Sequence, residues 1–309
     1  MSAYARERLD LRGLVLARRP YGEADLFLTI LNPERGLLEL GARGIRRQRQ
    51  GQAAAVELAV LSRFQVFDYR GRLRVDQAEL EYGFPGLRQD IVRLTAAGVL
   101  AELSCDLFAD ASVEQAAPLW ELLLHAFHAL EEGPEERLRL TLDVAVLRLL
   151  ALGGFPQRYD ACVLCGRLLP EGAGGVWSFA DHGLLCRVHE KAEMGRLETE
   201  HRAPPVMALS PALLRALVWY QEAPPSRLFQ TQMSPGAKAV FHAFVRELVG
   251  WTVERPGRSW QLLGDLIQFQ REAVWPRREV REDEGENRGE SEGETPGQRL
   301  KETPGDIPN

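Results

Sequence analysis

The chain has 309 residues with a formal net charge of −6, and is 45% hydrophobic and 27% charged. That is enough for two or three domains with sizeable cores, in the composition of an ordinary soluble globular protein. No apolar run approaches membrane-spanning length, and the start "MSAYARERLDLRG" lacks the apolar core of a signal peptide, so a cytosolic protein is expected. The charge is uneven. Residues 1–76 carry 14 arginines against 9 acidic residues, whereas residues 277–309 carry 6 basic and 10 acidic residues.

The N-terminal region reads as strands: 11–19, 25–31, 36–44, 55–69 and 72–82, separated by the turn material "PYGE", "NPERG", "QRQGQ" and "RG". Five strands with no helix of useful length predict a small closed barrel of the OB-fold type, whose face and loops bind oligonucleotides. The segment "VELAVLSRF" is also compatible with a helix. From residue 84 the apolar period changes to three and four, which predicts helices over 85–108, 117–132 and 135–154. Two more helices, 210–221 and 234–253, open with Ser-Pro, a Ser N-cap followed by Pro at the first helical position. A last helix is expected over 259–270. The predicted fold is therefore multidomain α+β: an OB-fold barrel (1–82), a helical domain in two parts (83–157 and 192–275) and an inserted zinc ribbon (158–191). The tail 276–309, rich in Glu, Gly, Arg and Pro, cannot bury enough apolar surface to offset its ordering entropy and is expected to be disordered.

Three of the four cysteines fall in "CVLCGRLLPEGAGGVWSFADHGLLCRVHE". Cys162-x2-Cys165 and Cys186-x2-His189 each let two ligands converge from one tight turn, and the loop between them can close a tetrahedron around one Zn²⁺. His182 is the alternative fourth ligand. Four protein ligands leave no open coordination position, so the ion would be structural. Cys105, alone on an apolar stretch, reads as a small buried hydrophobe.

The stretch "GARGIRRQRQGQ" (41–52) holds Arg43, Arg46, Arg47 and Arg49, with no acidic residue between Glu39 and Glu57. Such a loop between two barrel strands reads as a phosphate clamp, and Arg18, Arg19 and Arg35 are candidates to extend it. A solvated loop is the competing reading. Tyr21 and Phe27 are candidate base-stacking residues, although barrel aromatics more often belong to a core. No P-loop and no credible catalytic triad or carboxylate pair is present, so no enzymatic activity is expected. His125 and His128 read as structural, and Glu23 and Asp25 as turn-forming and salt-bridging residues.

Two blocks carry a family resemblance: "RRPYGEADLFLTILNPERGLLELGARGIRRQRQ" (18–50) and "AVLRLLALGGFPQRYDACVLCGR" (145–167). In order and spacing the chain resembles the bacterial recombination mediator RecO over residues 8–270. The resemblance implies an N-terminal OB-fold that binds single- and double-stranded DNA. It also implies annealing of complementary strands, and loading of RecA, with RecR, onto DNA coated by single-stranded DNA-binding protein in the nucleoid. His189 stands where many relatives have Cys, and the acidic tail matches nothing in the family. The alternative function is a zinc-stabilised RNA-binding or protein-interaction adaptor.

Overall fold

The computed structural model describes residues 8–45, 50–170, 172–200 and 206–272. Arg46, Arg47, Arg49 and the acidic tail lie outside the described residues. Five strands form a closed barrel: β1 (Arg8–Tyr21), β2 (Asp25–Asn32), β3 (Gly36–Ala42), β4 (Leu61–Asp68) and β5 (Leu73–Tyr82), in spatial order β1-β2-β3-β5-β4. The first half of β1 pairs with β4 and its second half with β2, and the register shifts between Val15 and Ala17. Such a shift bends a strand, which lets β1 turn the corner of the barrel. A short parallel pairing, Leu40 with Leu73 and Gly41 with Arg74, closes the wall. Alternate residues point inward: Val15, Leu28, Ile30, Leu40, Phe64 and Val66 fill the interior. Gly13 belongs to this inner set, since a Cβ there would lie 2.6 Å from Ile30 Cδ1.

The expected strand over 55–69 is corrected. A short helix, α1 (Gln50–Ala54), stands between β3 and β4, and the strand starts only at Leu61. Ala59 adopts the left-handed region at φ 54, donates its N–H to Val15 O and so brings the chain onto β1 before β4 begins.

The helices follow the apolar period. α2 (Pro85–Arg88) and α3 (Ile91–Leu107) replace the single expected helix 85–108, because the Asp90 carboxylate accepts the Val92 N–H and starts a new helix there. Next come α4 (Ala116–Glu132) and α5 (Glu135–Leu152). The ribbon contributes β6 (Gly175–Ser178) and β7 (Gly183–Leu185), an antiparallel hairpin. Neither α6 (Arg187–Glu200) nor β8 (Val206–Leu209) was anticipated, and β8 adds to β6 as the third strand of the ribbon sheet. The chain continues with α7 (Pro211–Glu222), α8 (Pro225–Leu228), α9 (Pro235–Thr252) and α10 (Arg258–Glu272). Both Ser-Pro starts are N-caps, with Ser210 Oγ accepting from Leu213 N–H and Ser234 Oγ from Ala237 N–H.

One core runs from the outer face of the barrel through the helices to the ribbon. It joins Leu14, Leu16 and Leu31 to α3, α4 and α5, and these to Trp177 and Phe179. Where barrel meets bundle, Arg12 chelates Glu81 at 2.7 and 2.8 Å and lies over the Trp120 ring. Glu131, with a side chain only 7% exposed, accepts the Gly86 N–H at 2.9 Å and the Tyr82 O–H at 3.0 Å. No helix among the described residues is long and apolar enough to cross a membrane.

Candidate nucleic-acid interface and metal centre

The candidate metal centre is built from two turns. In the first, Gly166 N–H bonds to Cys162 O and Cys162 N–H to Arg167 O, and Gly166 takes φ +71, which folds Cys162 and Cys165 toward each other. In the second, Cys186 precedes α6 and His189 occupies its first turn, three residues on and so on the same face. Val163 N–H bonds to Leu184 O, and a Cβ at Gly183 would lie 2.5 Å from Val163 Cβ, so glycine is what lets the two turns meet. Cys162 Sγ and Cys186 Sγ each lie 3.4 Å from His189 Nδ1, and Cys165 Sγ lies 3.9 Å from Cys186 Sγ.

A tetrahedral ion with metal–sulfur bonds of about 2.3 Å and metal–nitrogen bonds of about 2.0–2.1 Å would separate its ligands by about 3.6–3.8 Å. The observed spacing fits such an ion. All four ligand atoms lie within 4.8 Å of one another, whereas His182 is exposed in the hairpin turn at φ 52 and outside the group. For Cys162, burial is the largest single influence and raises the thiol. The N–H groups of Cys186, Cys165 and Leu164 together with His189 outweigh it and bring the group down to about 6. Cys186 is lowered chiefly by the His189 N–H. Cys165 shifts the other way: the Arg167 N–H lowers it, but burial and the neighbouring Cys162 and Cys186 side chains outweigh that and raise it. Two of the three thiols therefore favour the thiolate, the form a metal needs. A second cluster, His128, Glu131 and Glu132, has its central carboxylate committed to Gly86 and Tyr82.

An open cleft of about 750 Å³ lies on the barrel across β2, β3 and β5. One wall is the end of the β1–β2 hairpin, where Asp25 accepts the Gly44 N–H at 2.8 Å and ties the turn to the end of β3. The opposite wall is the tight β4–β5 turn. Arg70 and Gly71 both take positive φ, Tyr69 and Arg72 exchange backbone bonds, and Asp68 accepts the Gly71 N–H. Arg19, Arg43, Arg72 and Arg74 line the cleft against two carboxylates, Asp25 and Glu39. Arg19 lies 5.4 Å over Phe27, and Arg74 4.6 Å over Tyr69. The surface offers positive charge and aromatic faces on rigid hairpins, the combination that suits a polyanion carrying flat rings.

Of the arginines singled out in the sequence, the cleft brings together Arg19 and Arg43. Arg18 is bound to Glu57 instead. Arg35 occupies the β2–β3 turn, at the far end of the eight-residue β2 and so roughly 25 Å from the cleft's hairpin wall. Arg46, Arg47 and Arg49 fall outside the described residues, directly after the buried Ile45. The sequence reading missed Tyr69, Arg72 and Arg74. Their signal, three arginines around an aromatic, is present in "DYRGRLR" (68–74), which the sequence reading treats as the end of one strand, a turn and the start of the next.

The sequence model of the family described as "Recombination protein O N terminal" matches residues 7–84, and that described as "Recombination protein O C terminal" matches residues 88–261. Among individual proteins, the chain is similar to the DNA repair protein RecO of Heliobacterium modesticaldum, 31% identical over 82% of this chain and 88% of that protein. It is likewise similar to the RecO of Gloeobacter violaceus, 35% identical over 62% of this chain and 73% of that protein. The RecO of Anaeromyxobacter sp. (strain K) is 35% identical over 58% and 70% respectively.

Proposed function

The chain belongs to the RecO family of DNA repair proteins, and from that premise we propose that it is a non-enzymatic recombination mediator. It binds single- and double-stranded DNA through the barrel, anneals complementary strands and, with RecR, helps load RecA onto DNA coated by single-stranded DNA-binding protein. The observation that carries this reading is the arginine-lined cleft between two rigid hairpins of the barrel. Arg19, Arg43, Arg72 and Arg74 present cations to phosphates, and Arg46, Arg47 and Arg49 continue the cationic run along the chain. Arg18, paired with Glu57, and Arg35, in the turn two residues before Leu37 of the cleft, are candidates to extend this track. Phosphate contacts position a strand without reading its sequence, which is what annealing of arbitrary complementary strands requires. A cationic surface that takes over the counterions of two polyanions lowers the repulsion between them.

One Zn²⁺ held by Cys162, Cys165, Cys186 and His189 would supply cross-linking and no chemistry, because four protein ligands leave no position for a substrate. The protein works in the cytoplasm at the nucleoid.

Fluorescence anisotropy with labelled single-stranded DNA across salt tests the reading. Each phosphate contact on a single strand contributes about −0.7 to the slope of log affinity against log salt. The double substitution Arg43→Ala/Arg72→Ala should flatten the slope by about 1.4 and slow strand annealing. An unchanged slope with normal annealing would refute the assignment of the cleft to DNA.

A further inference from the structure

The cleft carries a group that a phosphate track does not need. Tyr21 is 63% exposed at the end of the β1–β2 hairpin and stands edge-on to Phe27, with ring centroids 5.2 Å apart. The other two aromatic rings of this surface are already covered: Phe27 lies under Arg19, and Tyr69 under both Arg70 and Arg74. The hairpin that carries Tyr21 is tied down. The Tyr21 backbone pairs with Asp25 across the hairpin, Asp25 is bonded to Gly44, and the ring itself rests against Phe27. Gly41, which also lines the cleft, adds no side chain to its floor.

An exposed aromatic face gains most when a flat ring covers it. In a duplex the internal bases already stack on both faces and show only their edges in the grooves, whereas the bases of a single strand are free to leave their neighbours. The arginines, by contrast, meet phosphates in either form of DNA. We propose that the cleft takes up unpaired bases, with Tyr21 as the stacking residue that gives this protein a preference for single strands over duplex. The inference rests on the DNA-binding reading above and adds to it which part of the DNA the cleft recognises.

The test uses the full chain and three labelled ligands of equal phosphate number: an oligothymidylate, an abasic oligomer and a blunt duplex. Stacking on an aromatic side chain is worth about 5- to 150-fold in affinity per base. Tyr21→Ala should therefore weaken oligothymidylate binding by at least about fivefold while changing abasic and duplex binding less than about twofold. Tyr21→Trp and Tyr21→Phe should retain the preference. Tyr21 is a surface residue, so all three variants should melt like the unsubstituted protein. Equal losses on the three ligands, or no loss on the oligothymidylate, would overturn the proposal. If the unsubstituted protein bound none of the three, the DNA-binding reading itself would fall, and this inference with it.

Discussion

Removing the metal ligands tests what the cluster is for. The double substitution Cys162→Ser/Cys165→Ser deletes two of the four ligands and leaves the fold of the ribbon to its own packing. Structural zinc contributes on the order of 10 kcal/mol in isolated small domains. This ribbon is not isolated. Trp177, Phe179 and Leu184 are buried in the main core, where Trp177 packs edge-on and Phe179 tilted against Phe244 of α9, with centroids 5.4 and 5.7 Å apart. Burying each such side chain stabilises by about 2 kcal/mol, so β6, β7 and β8 keep an anchor without metal. The turn at Cys162–Gly166 has no such anchor: Val163 and Leu164 are exposed, as is Val188 beside His189. The loss should therefore be about 5 kcal/mol rather than the full metal term, a fall of roughly 10–20 °C in Tm at about 2–4 °C per kcal/mol. Scanning calorimetry with metal analysis by mass spectrometry measures this, with one zinc per chain expected before substitution. Single-strand affinity, measured well below the melt, should change less than about twofold, because the cleft lies on the barrel. A metal-free variant that melts with the unsubstituted protein would refute the reasoning and show that apolar packing alone holds the ribbon.

Further predictions follow from individual contacts. Burial, with smaller contributions from Asp106 and Glu102, pushes the Cys105 thiol up to about 12, so it should resist alkylation at pH 8 until the protein unfolds. In the same chain the three cluster thiols should react as soon as a chelator is added. Because the folded value for Cys105 lies above the unfolded one, its contribution to stability is constant below about pH 9 and declines from there toward pH 12, which denaturant titrations at alkaline pH would measure. Glu131→Ala removes the carboxylate that receives the Gly86 N–H where the barrel joins the bundle, and should cost about 2 kcal/mol in urea unfolding. Gly13→Val places atoms into the space held by Ile30 and should destabilise by about 1–3 kcal/mol, visible as a lower urea midpoint.

Local chemistry was legible from the chain alone. The spacing Cys162-x2-Cys165 and Cys186-x2-His189 names a candidate metal site because each pair is set within one turn of backbone. Ser210-Pro211 and Ser234-Pro235 mark helix starts for the same reason, and period-two runs mark the barrel strands. Features that depend on partners far along the chain were not legible. Whether His182 or His189 faces the thiols was settled by α6, which turns His189 back toward Cys186. Arg18 and Arg19 are equal in sequence, yet neighbouring strand residues point to opposite faces, so one meets Glu57 and the other lines the cleft. The second basic wall arises because β3 closes the barrel on β5, setting Gly41 beside Arg74, 33 positions later in the chain. Periodicity records which face a residue takes, but only the strand pairing that closes the barrel decides what that face meets.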